Sequence, residues 1–361
     1  MNTISEQLLL KKQLLCSGLN ISENAKRYIL ENDLYINNNK SVHACVLMLP
    51  NGSYVNAIVG EAFCKESPFL LDVINNQLVI FNSNQLVSKV FLEKKPKWYG
   101  KYTHDQILMS NILSIHGANT LAFTNHNSCC FKLDGEGCLF CSSNQGEDIE
   151  WKLQAKRVCE VLEYALEENE LYSLALSGGT RVGDDRGILY FTYLVDCIKS
   201  RYPEIKISVE TVPPQKLKYL ESLIDAGVSS VIMNLELFSD ENRKKYCPGK
   251  SKIKTDEYYD SYELITSKLG PWQVGSVLIA GLEPIDCTIS GAKKLIDLSV
   301  RPTIMPFRPY DLSSLWNESI TDYKSLVFIE EELHKYMKEK KICVCQASGC
   351  LSCNACIANE L

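Results

Sequence analysis

The sequence predicts an α/β fold in which parallel strands are covered by helices, behind a smaller and mostly β leading segment. Three observations carry this expectation. From residue 121 onward six short apolar runs alternate with amphipathic stretches, the pattern of a parallel sheet buried on both faces. The first hundred residues lack that rhythm. Nine of the 16 cysteines fall into two tight groups, one directly after the first apolar run and one near the end of the chain.

The runs follow in order. LAFTNH (121–126) reads as the first strand, and the helix after it places Val158, Val161, Leu162, Ala165 and Leu166 on one face. SLALSGG (173–179) is a strand ending in glycines, followed by a helix from Gly187 to about Tyr202 and the strand KISVET. Pro213 and Pro214 are expected to open the next helix, with Leu217, Leu220, Leu223 and Ile224 inward and Gly227 closing it. SSVIMNLE, QVGSVLIAG and PTIMPF supply the remaining strands, with helices around 258–268 and 290–298 between them. Periodicity alone does not separate six such units in an open sheet from part of a closed barrel. In either case ligands gather at the carboxyl ends of the strands. Ser177 to Thr180, Glu210, Asn234, Glu236, Gly281, Glu283 and Arg308 all fall there.

In the first hundred residues an opening amphipathic helix is followed by VHACVLML-PNGS-YVNAIVG, whose Asn51-Gly52 pair signals a tight hairpin. QLVIF and VSKVFL add further strands. The expected division is an accessory segment over 1–100, a core over 101–315, and a helix with a cysteine-rich tail over 316–361. With 361 residues, 45% hydrophobic and 23% charged, the chain has an ordinary globular composition. A net charge of −6 without a long basic block argues against nucleic acid. Lys11 and Lys12 interrupt the first apolar run, which argues against a secretory signal, and no run reaches the ~20 apolar residues of a membrane span. The expectation is a cytoplasmic protein with no membrane partner. In that reducing compartment grouped thiols point to metal rather than disulfides. Most of the single cysteines, Cys159 and Cys197 in predicted helices among them, read as packing.

The first group, SCCFKLDGEGCLFCSS, contains the pair Cys138-x-x-Cys141, with Cys130 upstream across a Gly-Glu-Gly turn. Three thiolates leave one coordination position open, which suits a [4Fe-4S] cluster better than a closed zinc site. Cys129 is the alternative first ligand; Cys130 is preferred.

These residues, together with Ser177-Gly178-Gly179 and VGSVLIAGLE, resemble the radical S-adenosylmethionine (SAM) enzymes over roughly 121–309. The resemblance implies a partial (β/α)6 TIM-like barrel, a [4Fe-4S] cluster on Cys130, Cys138 and Cys141, and SAM on its open iron, cleaved reductively to a 5′-deoxyadenosyl radical. The spacing here is C-x7-C-x2-C, longer than the family's usual C-x3-C-x2-C. Further implied positions are Ser177, Gly178, Gly179 and Thr180 for the SAM amino group, and Glu210 for the ribose. Phe140 and the segment 275–281, including Ile279 and Gly281, would lie near adenine, and Arg243 or Lys250 would meet the carboxylate. The segment 211–250 resembles the biotin synthase-related branch.

The second group, CVCQASGCLSCNACIANEL, is expected to hold an auxiliary [4Fe-4S] cluster, with zinc as the alternative, on Cys345, Cys350, Cys353 and Cys356; Cys343 is the other candidate for the fourth ligand. A helix over about 321–341, with Leu326, Ile329 and Leu333 on one face, would bring this tail back onto the barrel. The expected chemistry is C–H activation of a small molecule held by Arg308, Asn234 and Glu236, with sulfur insertion as the leading specific reaction. A flavodoxin or ferredoxin would supply the electron. Two other readings stay open: a non-catalytic iron-sulfur or zinc protein, and a peptide-modifying radical enzyme.

Overall fold

A computed structural model describes residues 4–39, 42–117, 119–125, 129–143, 149–344, 350–353 and 355–356. The leading part contains α1 (Ile4–Ser17), β1 (Asn20–Ile21), α2 (Glu23–Glu31), β2 (Asn37–Asn39), β3 (Val42–Met48), β4 (Tyr54–Ile58), β5 (Phe69–Ile74), β6 (Gln77–Asn82), β7 (Gln85–Lys89) and β8 (Phe91–Leu92). They form two small sheets, ordered β1-β5-β6-β7 and β2-β3-β4, with β8 also pairing with the end of β3. The Asn51-Gly52 turn joins β3 to β4, and Gly52 takes the left-handed conformation (φ +82°) that a side chain would strain. The lysines of α1 do not face water: Lys11 and Lys12 are buried, and Lys12 pairs with Glu330 at 2.5 Å. The helix is therefore covered on the face that its charges suggest is exposed, because a later helix supplies a carboxylate there.

The second part runs through β9 (Ser114–Ile115), β10 (Thr120–Asn125), α3 (Cys130–Leu133), α4 (Trp151–Glu168), β11 (Ser173–Gly178), α5 (Ile188–Lys199), β12 (Ile207–Glu210) and α6 (Lys218–Asp225). It continues with β13 (Ser230–Ile232), α7 (Asp240–Tyr246), α8 (Thr255–Leu269), β14 (Val274–Ala280), α9 (Ile285–Asp297), β15 (Arg301–Pro306), α10 (Tyr323–Lys340) and α11 (Cys350–Cys353). One seven-stranded sheet has the order β15-β14-β13-β12-β11-β10-β9. Strands β10 to β15 pair in parallel with their sequence neighbours, and β9 closes the edge antiparallel to β10. This is the curled, partial TIM-like barrel, with each expected strand in place.

Side chains alternate across these strands. Leu174, Leu176, Ile207, Val209, Val231, Val274, Leu278 and Ile304 join the main core under the helices. The opposite parity lines the lumen mostly with small and polar groups: Thr124 and Ser177, whose hydroxyls lie 3.3 Å apart, then Ala175, Ser208, Glu210 and Gly275, with Ile232 as an apolar member. A wall of that kind leaves room for other groups inside the barrel.

Two expected elements differ. Pro213 and Pro214 do not open a helix; α6 begins at Lys218, and Leu217 is exposed. A residue before proline disfavours the helical region, and the amide N–H of Gln215 is held by the carbonyl of Asp184 while Lys216 pairs with its carboxylate. The run SSVIMNLE pairs as a strand only over β13. Beyond it the Asn234 carboxamide takes over, its Oδ1 accepting from the Val277 N–H at 3.0 Å, and Glu236 adopts φ +67°.

Candidate metal and cofactor site

The thiol-rich loop leaves β10 and is anchored on both sides. The N–H of Cys130 donates to the carbonyl of Thr180 at 2.8 Å, tying the loop to the glycine end of β11. Leu139 N–H donates to Tyr246 O at 2.8 Å, and Gly249 N–H donates to Glu136 O at 2.9 Å. Gly249 permits this contact, since a Cβ there would stand 2.7 Å from the Phe131 ring. Cys129, Cys130, Cys138 and Cys141 are all free and partly buried, and the Cys141 N–H bonds to the Cys138 carbonyl at 3.0 Å, so the C-x-x-C pair forms one turn.

Cys247 lies against this pair although its isolated position in the sequence suggests only packing. Its thiol hydrogen-bonds to Cys138, and that contact lowers the Cys138 pKa below the usual thiol value; burial opposes the shift, and Lys250 adds to it. The same contact pushes Cys247 upward. Of the two, Cys138 is the one inclined to ionise. A ligand must bind as thiolate, so three free thiols on one anchored loop, one already biased to ionise, fit an iron-sulfur cluster. The loop thiols are not drawn together as they stand: among the described residues no group of three or more His, Cys, Asp or Glu side chains is placed to hold a metal ion.

At the ends of the neighbouring strands Asn234 Nδ2 donates to Glu210 Oε1 at 2.6 Å, and Lys250 pairs with Glu236 at 2.6 Å. Burial and then Glu236 push the Glu210 carboxyl above its ordinary range, against Lys250 and Asn234. Burial is the largest single influence on the Lys250 ammonium and pulls its pKa down, but Glu236, Tyr258 and Cys138 together raise it well above the ordinary range. Because a raised carboxyl binds its proton more tightly folded than unfolded, Glu210 weakens the fold as pH rises from about its ordinary 4.5 through the raised value. Glu210→Gln is therefore expected to raise the melting temperature more at pH 8 than at pH 5; an equal gain at both would contradict a raised Glu210.

The other expected residues divide by surroundings. Phe140 and Ile279 meet in one apolar cluster with Cys138, Cys247 and Phe307. Ser177 stays at the lumen end of β11, and Gly178 and Gly179 carry the chain to the Thr180 carbonyl that holds the loop. Gly281 is needed where it stands, because a Cβ would come 2.4 Å from Thr321 Oγ1. Arg243 turns away from the site: it is buried on Thr255 Oγ1 (2.9 Å), the Ile253 carbonyl and the Tyr258 ring. Asn234 uses both its polar atoms within the protein. Arg308 is only 5% exposed, lies over the Tyr310 ring, and its Nε and Nη1 find no hydrogen-bond partner among the described residues.

The tail comes back into the barrel. Leu351 packs on Ile232, and Gly275 makes room for it, since a Cβ there would fall 2.4 Å from Leu351 Cδ2. Cys353 abuts Gly117, and the Ala355 carbonyl accepts from the β4 N–H of Asn56 at 2.8 Å. Asn56 Nδ2 donates to Cys356 Sγ at 3.2 Å. His116, which carries no cysteine-like spacing to reveal it, hydrogen-bonds to both Cys353 and Cys356. Cys343 is exposed, and Cys345 lies outside the described residues, as does the side chain of Cys350. Gly275→Val is expected to expel α11, read as faster proteolysis of the tail with the barrel intact; unchanged tail protection would show that the lumen tolerates the branched side chain.

No described helix is long and apolar enough to cross a membrane. Residues 130–283 match the family model described as Radical SAM superfamily, a stretch that begins at Cys130 and ends after β14. Over 108 residues the chain is 28% identical to the bacteriochlorophyllide c C-7(1)-hydroxylase of Chlorobaculum limnaeum, covering 29% of this chain and 27% of that protein. The chain thus spans about a quarter of the length of that relative. Among solved structures it is similar to a radical SAM methyltransferase from Sphaerobacter thermophilus (11% identity, 81% of each chain, TM-score 0.48). It is also similar to the radical SAM enzyme coproporphyrinogen III oxidase from Escherichia coli (15% identity, 56% of this chain and 50% of that one, TM-score 0.41).

Proposed function

We propose that this chain, which carries a Radical SAM superfamily domain over residues 130–283, uses a [4Fe-4S] cluster and SAM to activate a C–H bond of a small molecule in the barrel lumen. The observation that supports this most is the Cys130–Cys141 loop, tied by its first proposed ligand to the glycine end of β11 and by its last turn to the Cys247 segment. Cys130, Cys138 and Cys141 would hold the cluster. Bound there with SAM, the cluster supplies a one-electron cleavage that delivers a 5′-deoxyadenosyl radical. Everything else falls to the chain. The backbone from Ser177 to Thr180 receives the SAM amino group, Phe140 and Ile279 form an apolar wall for adenine, and Glu210 meets the ribose. Arg243 is committed to the Thr255 and Ile253 contacts and Lys250 to Glu236; of the two, Lys250 is the cation we assign to the SAM carboxylate, because it stands near Cys138.

Arg308 fits the substrate end. A buried guanidinium with two nitrogens unused among the described residues is costly unless an anion meets it, and its planar fork suits a carboxylate. The substrate class we infer is a small carboxylate-bearing molecule, oxidised or rearranged at an unactivated carbon. Sulfur insertion of the biotin synthase type is the second reading and requires the tail to hold an iron-sulfur cluster. Anaerobic reconstitution followed by a 5′-deoxyadenosine assay with reductant and SAM tests the proposal. Deoxyadenosine formation that depends on the loop cysteines is the expected result; a chain that binds iron yet never cleaves SAM would be a binding protein instead.

A further inference from the structure

We propose that the cavity at the open edge of the barrel, beside β10, binds an uncharged and mainly apolar small molecule carrying one amide or carbonyl group, which Gln154 recognises. The inference does not depend on SAM cleavage at the cysteine loop.

The cavity exists because β9 is short. It pairs with β10 only through Ile115 with Leu121 and Ser114 with Ala122, so beyond Ala122 the outer edge of β10 has no β9 residue beside it. The Thr120 carbonyl accepts from the His116 N–H on that edge. Every second residue of a strand turns its backbone groups to the same side, so past Ala122 the next to face outward are those of Thr124. The space left there has a volume of about 760 Å³, within the roughly 300–1,000 Å³ of small-molecule sites. Its apolar walls come from α2 and the residues after it (Ile29, Leu34, Ile36), from the stretch before β9 (Ile112, Leu113) and from Phe123. α4 adds Gln154 and Arg157.

The polar groups of the lining decide what fits. Arg157 is paired with Asp105 at 2.7 Å, and Lys26 with Glu23 at 2.6 Å. The Tyr99 hydroxyl accepts from the Ile115 N–H at 2.7 Å and bonds to Tyr35. Lys95 and Asp33 are exposed lining residues of opposite sign. The walls therefore give an ion no net charge to meet. Gln154 differs: the residue is only 5% exposed, and its carboxamide has no hydrogen-bond partner among the described residues. A buried amide left unpaired is costly, and a ligand amide or carbonyl that meets it removes the cost. Leu30, another lining residue, is 81% exposed, so an apolar occupant would also cover a side chain that now faces water. At the inner end Thr124 stands 3.3 Å from the Ser177 hydroxyl, which places the occupant beside the strand end where the cysteine loop departs.

The test titrates the full chain with N-phenyl-1-naphthylamine, an uncharged dye whose emission rises in apolar surroundings. Saturable binding of one dye per chain is expected. Ile36→Trp and Ile149→Trp fill the cavity from two different segments, and each should weaken binding at least about tenfold with circular dichroism unchanged. Leu86→Trp, on exposed β7, should leave binding as it was. Displacement of the dye by 1-naphthamide and by 1-methylnaphthalene reads the polar contact: the preference for the amide over the hydrocarbon should fall about tenfold in Gln154→Leu. A tryptophan variant that fails to fold is replaced in the comparison by the other, and Gln154→Leu is judged by the ratio of the two displacers in one folded protein. No saturable binding, affinity unchanged in the filled variants, or an amide preference unchanged by Gln154→Leu would each overturn the proposal.

Discussion

Cys138→Ser is expected to abolish deoxyadenosine formation, with losses exceeding the roughly 10–100-fold that changes beside a metal ligand cost. The position carries more weight than its neighbours because two effects converge on it. The Cys247 thiol donates to its sulfur and Lys250 stands near, so Cys138 is the loop cysteine already inclined to the thiolate. A serine at this place gives up sulfur coordination and the soft match to iron together. Cys247→Ala is the informative companion: it removes the donor and leaves the loop sulfurs, so cluster content should persist while its assembly becomes more sensitive to low pH. Iron and sulfide counted per chain, alongside deoxyadenosine, check both. If Cys138→Ser retained full SAM cleavage, the C-x-x-C pair would not be the cluster site.

Arg308→Met is expected to act in opposite directions on stability and turnover. Two guanidinium nitrogens without partners among the described residues, in a nearly closed position, cost several kcal/mol of lost hydration, only partly offset by the Tyr310 ring. An apolar side chain of similar length removes that cost, so the melting temperature should rise by a few degrees. Turnover should fall by about two to three orders of magnitude, the equivalent of ~3–4 kcal/mol of lost carboxylate binding in the transition state. Deoxyadenosine formed without substrate should be retained, which separates Arg308 from the SAM site. Arg308→Lys should rescue poorly, because a point charge cannot reproduce the bidentate fork. A variant that lost stability and kept turnover would place the guanidinium in a structural role.

Much of the barrel could be read from the sequence because outward-facing strand residues are apolar and the helices between them keep their period. Every strand from β10 to β15 falls where its apolar run lies. The lumen was less visible. Ser173, Ser177, Ser208 and Ser230 alternate with apolar neighbours, but in strands only a few residues long a period of two is easily taken for noise. The loop cysteines were legible through their spacing, whereas Cys247 and His116 were not. Each stands alone in the chain and gains its meaning only from a segment that folds beside it. Arg243 shows the converse: a cation in a suitable stretch of sequence was drawn inward by Thr255 and Tyr258, contacts that no local pattern announces.

The contact between Asn56 and Cys356 joins positions 300 residues apart. Closing a loop of that size costs only slightly more entropy than closing one half as long, yet a contact of such long range is expected to form after the strands it covers have paired. Interactions absent from the folding transition state act on the rate of unfolding rather than of folding. The tail would then act as a kinetic latch: weakening the Asn56–Cys356 contact is expected to speed unfolding of the barrel without changing how fast it first assembles.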